Sequence, residues 1–126
     1  MSVVLDTSAL LAALWGEPGS DRVDRVVGTA RVSAVNLSEL VAKLVDRGAS
    51  DADVGAVLDD LAVTVVPMDA RQARAAGLLR RTTRGAGLSL GDRACLALAL
   101  ADGALVLTTD RVWASLDVGV MVEVIR

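Results

Sequence analysis

The stretch Val3-Val4-Leu5-Asp6-Thr7-Ser8-Ala9-Leu10 decides how the rest of the chain is read. A short β-branched run stops at an acid, and Ala9 to Trp15 then reads as helix until Gly16 and Pro18 interrupt it, so a strand passes directly into a helix. The same order returns downstream. A second helix is expected after Ser20, with Val23, Val26 and Val27 on one face, followed by a strand near Arg31 to Ser33. Over Asn36 to Asp46, Leu37, Leu40, Val41, Leu44 and Val45 recur at helical spacing, and Gly48 ends the run. Ser50 caps a further helix with Val54, Val57, Leu58 and Leu61 as its stripe. A strand at Val63 to Val66 stops at Pro67, and Asp69 caps a long Ala/Arg helix running to about Arg81.

Beyond the Gly-bounded loop at Arg84 to Leu88, Leu96, Leu98 and Leu100 alternate with alanine as they would in a strand. Helix is the better reading: alanine is the best helix former, Ser89 and Asp92 stand at capping-box spacing, and Asp102-Gly103 supplies a stop. Leu105 to Leu107 is then a strand ending in Thr108-Thr109-Asp110, a short helix follows through Trp113, and Val120 to Val124 closes the sheet. Parallel strands need crossover connections, so this alternation predicts an α/β fold in three layers, a mainly parallel sheet with helices on both faces. At 126 residues the chain is the size of one domain, taken as residues 1–126.

Composition narrows the chemistry. Apolar residues make up 53% of the chain and the mean hydropathy is +0.52, which points to a sheet covered on both faces or to a hydrophobic self-association surface. No run reaches the roughly 18 apolar residues of a spanning helix, and the N-terminus lacks a basic region, so the protein is expected in the cytoplasm, away from the membrane. The lone Cys95 reads as a small core residue, and the absence of histidine excludes imidazole-based serine or thiol catalysis. The net charge of −3 offers none of the basic excess of a protein that grips nucleic acid through phosphates alone. Trp15 and Trp113, the only aromatics, read as packing residues.

Four acids stand out: Asp6, Glu39, Asp92 and Asp110. Each has a bland explanation. Asp6 and Asp110 stand where N-caps stand; Glu39 follows Asn36, and Asp92 follows Ser89, by the three residues of a capping box; and Lys43 is a surface partner one turn from Glu39. Yet all four fall at a strand exit or in the first turn of a helix, positions that share one rim beyond the carboxyl ends of a doubly wound sheet. Clustered carboxylates repel one another unless a cation holds them ionised, and an oxygen-only donor set favours Mg²⁺ or Mn²⁺. Asp21, Asp24, Asp46, Asp51, Asp53, Asp59, Asp60 and Asp102 read as solvated charges, and Asp117 as a turn residue.

These residues, in this order, resemble the PIN-domain nucleases, and more narrowly the VapC toxins of type II toxin–antitoxin pairs. The likeness covers most of the chain and is carried by Val4 to Leu10, Ser33 to Glu39, Leu88 to Ala99 and Leu107 to Trp113, the third being the most specific; residues 50 to 83 carry no such signature. The resemblance implies a parallel sheet of four or five strands and metal coordination by Asp6, Glu39, Asp92 and Asp110, supported by Thr7, Ser8, Asn36 and Thr108. It further implies a homodimer, endonucleolytic cutting of tRNA or rRNA, and inhibition by a cognate VapB-type antitoxin.

The chemistry expected of such a site is phosphodiester hydrolysis by in-line attack of a water activated by one or two divalent cations, with Asp6 or Asp92 accepting the proton. Arg71, Arg74, Arg80, Arg81 and Arg84 gather on one helix and the following loop, either as a solvated face or as carriers of RNA phosphates. Three rivals stand beside this reading. A haloacid-dehalogenase-like phosphatase also opens on a strand ending in Asp, but its Asp-x-Asp would need an acid at Ser8. A receiver-like module would need an acid near Val63 to Val66. A PIN scaffold that binds a partner without cutting would retain every residue seen here.

Overall fold

The computed structural model describes residues 2–126. Its sheet has five strands, β1 (Val3–Leu5), β2 (Arg31–Ser33), β3 (Thr64–Val66), β4 (Leu105–Thr108) and β5 (Met121–Val124), in the order β3-β2-β1-β4-β5. Every pairing is parallel. The expected three-layer arrangement follows from the pleat: Val3 and Leu5 face one core and Val4 the other, and Leu107 and Val106 divide the same way. The first core packs against α1 (Thr7–Leu14), α2 (Ser20–Asp24), α3 (Ala34–Asp46) and α4 (Asp51–Asp60). The second packs against α5 (Ala70–Leu78) and α7 (Leu90–Asp102), with the short α6 (Arg80–Thr83) between them in sequence.

Burial is deepest at β1 and β4, where all of β1 and the last three residues of β4 are buried; the edge strands β3 and β5 are partly exposed. Between β1 and β4 the chain reverses the direction in which it lays down strands. The crevice outside their carboxyl ends is therefore the topological switch point, where open parallel sheets bind ligands. Helix α7 is wedged between the sheet and α5, with Gly91, Ala94 and the run Cys95 to Ala99 all buried. Its alanines let neighbouring backbones approach from both sides, and Ser89 and Gly103 cap its ends. The alternation of Leu96, Leu98 and Leu100 is thus helical.

Several local expectations need correction. Asn36 does not cap α3: Ser33 is the N-cap, accepting from the Val35 amide, and Asn36 lies inside the first turn, fully buried. The long Ala/Arg helix breaks at Leu79, whose ψ of −19° tightens toward 3-10 geometry and whose carbonyl accepts from the hydroxyls of Thr82 and Thr83. The helix after Ser20 ends at Asp24, and the short helix through Trp113 is a 3-10 turn, Arg111–Ser115. Asp102 is no solvated charge: it accepts from Arg31 at 2.7 Å with its side chain only 15% exposed, tying the end of α7 to β2. Trp113 is a core residue, whereas Trp15 is half-exposed, with the Arg47 guanidinium carbon 3.7 Å from its ring centroid.

Candidate active site

Asp6, Glu39, Asp92 and Asp110 line one cavity of about 220 Å³, together with Thr7, Ser8, Leu11 and Lys43. Four separate segments meet there. Asp6 ends β1 and Asp110 follows β4, on neighbouring strands at the switch point; Glu39 comes from the second turn of α3 and Asp92 from the first turn of α7.

Asp6 occupies the N-cap position of α1, yet its side chain makes no capping bond. Its Oδ2 accepts instead from Ser8 Oγ at 2.7 Å and from Thr108 Oγ1 at 2.9 Å. Those hydroxyls are themselves placed by backbone: Ser8 Oγ accepts from the Thr109 amide, and Thr108 Oγ1 from the Asp110 amide. A side chain 102 residues away in sequence thereby helps to fix the carboxylate. Burial, which disfavours the charged form, raises the Asp6 pKa from 3.8 to about 6, against the two hydroxyl bonds that lower it and with a smaller push from Asp92 and Glu39.

Glu39 is held in a comparable way. Its Oε1 accepts from Thr7 Oγ1 at 2.7 Å and from Asn36 Nδ2 at 3.0 Å, and the Asn36 amide also reaches the Gly91 carbonyl. Asn36 is thus a bracket joining α3, α1 and α7, which explains a fully buried amide inside a helix. The bland partner of Glu39 is not engaged: Lys43 forms no ion pair among the described residues and lines the cavity instead. Gly91 is a residue whose role the sequence reading did not find. A Cβ there would collide with the Glu39 carboxylate, so glycine leaves that carboxylate its place between α3 and α7. A glycine in the first turn of an otherwise Ala/Leu helix was the available signal.

Asp92 serves two ends at once. Its carboxylate accepts from the Ser89 amide in a complete capping box and also faces the cavity. Its pKa is raised, chiefly by burial, against the Ser89 bonds that lower it, and further by Glu39 and Asp110. Asp110 caps the 3-10 turn by accepting from the Val112 amide and remains exposed. For Asp92 and Asp110 the cap and the cavity wall are therefore one and the same residue.

Four acids face a single cation, Lys43, across this cavity. In each acid one oxygen takes every protein hydrogen bond, namely Asp6 Oδ2, Glu39 Oε1, Asp92 Oδ2 and Asp110 Oδ1, and the other oxygen has no protein donor among the described residues. That donor chemistry, hard oxygens only and one spare per carboxylate, fits a divalent cation of the Mg²⁺ type. Among the described residues, no three acidic side chains converge on one point at metal-binding distance. What converges is the cavity wall. Thr7, Ser8, Asn36 and Thr108 all donate to Asp6 or Glu39. Arg71, Arg74, Arg80, Arg81 and Arg84 are all exposed and none of them lines the cavity, while Asp117 borders a different one.

Comparison with known proteins agrees with the fold. The structure resembles DNA-bound VapBC from Salmonella typhimurium, with a TM-score of 0.77 at 19% identity over 98% of this chain and 97% of that one. It resembles VapC20 of Mycobacterium tuberculosis, described as a sarcin–ricin loop cleaving toxin, with a TM-score of 0.70 at 22% identity over 94% of this chain and 98% of that one. VapBC-5 of the same organism gives 0.63 at 26% identity over 99% and 98%. A search of curated proteins gives no match. The PIN domain family model matches residues 3–119, the span that holds all five strands but β5 and all four acids, and the chain belongs to that family.

Proposed function

We propose that the protein is a divalent-metal-dependent endoribonuclease, the toxin of a toxin–antitoxin pair. The observation that carries the reading is the meeting of four carboxylates from four segments in one cavity at the switch point of the sheet. Asp6, Glu39, Asp92 and Asp110 would hold Mg²⁺ or Mn²⁺ through their spare oxygens. A cation bound there supplies Lewis acidity toward water and neutralises charge on the phosphate.

The chain's own residues do the rest. Ser8 and Thr108 orient the Asp6 carboxylate, and Thr7 and Asn36 orient Glu39, so neither acid has to be ordered when substrate arrives. Asp6 or Asp92, both at the cavity wall, takes the proton of the attacking water. The water oxygen bonds to phosphorus, the bond to the 3′ oxygen breaks, and the leaving oxygen takes a proton from solvent, giving a 5′-phosphate and a 3′-hydroxyl. The exposed arginines from Arg71 to Arg84 supply a phosphate-attracting face at a distance from the acids.

Two partners belong to this reading. Similar solved structures are toxin–antitoxin complexes, which supports a VapB-type antitoxin as the inhibitor. Leu78 and Leu100, 51% and 40% exposed, border an apolar cavity between α5 and α7, which supports pairing with a second copy of the chain.

The test incubates purified protein with total RNA and Mg²⁺ or Mn²⁺, beside a chelator control and Asp6→Asn. Cutting that needs the cation and Asp6 is the expected result. Cutting that survives both controls, or no cutting of any RNA, would overturn the reading.

A further inference from the structure

A second cavity, of about 440 Å³, adjoins the acids: Ser8, Leu11 and Lys43 belong to both walls. Its volume is that of a small-molecule site, in the range of about 300 to 1,000 Å³. The far wall carries Trp15, Arg47 and Arg126 together with the carboxylates of Glu17 and Asp46, and the Arg47 guanidinium lies 3.7 Å from the Trp15 ring centroid. Among the described residues neither Lys43 nor Arg47 has a carboxylate within ion-pairing distance, and Arg126 meets Glu17 only at 3.4 Å. Two unpaired cations, Lys43 and Arg47, and an aromatic ring therefore stand together in one concave wall next to an acidic site. The cavity on the other side of Glu39, lined by residues of α3 and the start of α7, contains no cation.

We propose that this second cavity binds one nucleotide of single-stranded RNA beside the phosphodiester to be cut, with its base on the Trp15–Arg47 pair and its phosphate on Lys43 and Arg126. The proposal rests on the nuclease reading above. Exposed aromatic rings and guanidinium planes are the surfaces on which splayed-out bases stack, and the pair here offers both in contact. A phosphate approaching four carboxylates needs local positive charge, and of the two cavities that share residues with the acidic one, only this one carries cations, Lys43, Arg47 and Arg126 against Glu17 and Asp46. Substrate would thus enter the acidic rim from the side of α1 and α3. Trp15 and Arg47 act here as binding residues and take no part in the bond-breaking step.

The test titrates a short oligoadenylate RNA into the Asp92→Asn protein, with chelator present, and follows tryptophan fluorescence. Trp113 is 1% exposed, so quenching by a stacked base reports Trp15. Expected are quenching that is lost with an abasic analogue, at least about fivefold weaker binding in Arg47→Ala, and a salt slope lower by about one in Lys43→Ala. Both substituted side chains lie at exposed positions, so the fold is retained. Wild-type cleavage of total RNA is measured in parallel. RNA that binds without quenching and is indifferent to Arg47→Ala overturns the subsite and leaves the nuclease reading standing. Quenching through Trp15 with no cleavage by wild type keeps the subsite and overturns the nuclease reading. Quenching by an acidic peptide and none by RNA overturns the subsite, assigning the cavity to a protein partner.

Discussion

Ser50–Asp53 at the start of α4 and Ser89–Asp92 at the start of α7 are the same device built twice. In both, the serine amide donates to the aspartate at 3.0 Å and the aspartate amide donates back to the serine at 3.1 Å. Their acids nevertheless move in opposite directions. The serine bonds hold Asp53, fully exposed, below the ordinary carboxylate range, whereas burial beside Glu39 and Asp110 lifts Asp92 above it. Identical local chemistry gives a solvated cap in one place and a wall of the candidate active site in the other. The difference comes entirely from what the sheet brings near.

The sharpest way to break this comparison is by activity. Asp92→Asn should lower RNA cleavage by at least about 100-fold, while Asp53→Asn leaves it unchanged; equal losses would mean that the capping role alone matters. Stability separates the two regions next. The raised Asp6 pKa means that the folded protein keeps its proton between pH 3.8 and about 6, where the unfolded chain has released it, so stability falls as pH rises through that window. Asp6→Asn removes the buried charge and should stabilise the metal-free protein above pH 6 by up to about 3 kcal/mol, with the gain vanishing toward pH 4. Denaturant unfolding of both proteins in chelator, across pH, checks it.

The glycines of the two helices make a smaller test. A Cβ at Gly55 in α4 meets nothing within 4 Å, so Gly55→Ala should raise stability by about 0.5–1 kcal/mol. Gly91→Ala should displace the Glu39 carboxylate from its Thr7 and Asn36 bonds and forfeit the gain expected at Gly55, read by loss of cleavage and by thermal unfolding. Smallest are the serines. Ser50→Ala and Ser89→Ala should each cost about 1 kcal/mol, but only Ser89→Ala, by removing the hydroxyl while leaving the backbone amide on Asp92, should move the acid limb of the activity profile slightly to higher pH.

What the sequence disclosed, and what it hid, follows the same division. The strands were legible because β-branched runs end at Asp6, Ser33, Pro67 and Asp110, and the Ser89–Asp92 box marked the start of α7 despite an alternation that mimics a strand. These are signals within a few residues. Asn36 stands at capping-box spacing from Glu39, and the alternative, a bracket inside the helix, was not legible because its three amide bonds reach partners that include Thr7 and Gly91, which only tertiary contact supplies. The break at Leu79 depends on which carbonyl the hydroxyls of Thr82 and Thr83 choose, and the Arg31–Asp102 pair spans 71 residues. Trp15 and Lys43 were visible as residues and illegible as neighbours, since nothing in their local context says that they border a common cavity, or that Lys43 also lines the one with the acids.

Cys95 sits fully buried in α7 below the acidic rim, its thiol pushed well up by burial and, to a lesser degree, by Asp6, Asp92 and Glu39. A sulfur kept protonated and out of reach reacts with an alkylating reagent only while the molecule is open. This one atom is therefore a built-in clock for opening: its labelling rate, read by mass, would time how long any bound cation, nucleotide or inhibitory partner holds the protein shut.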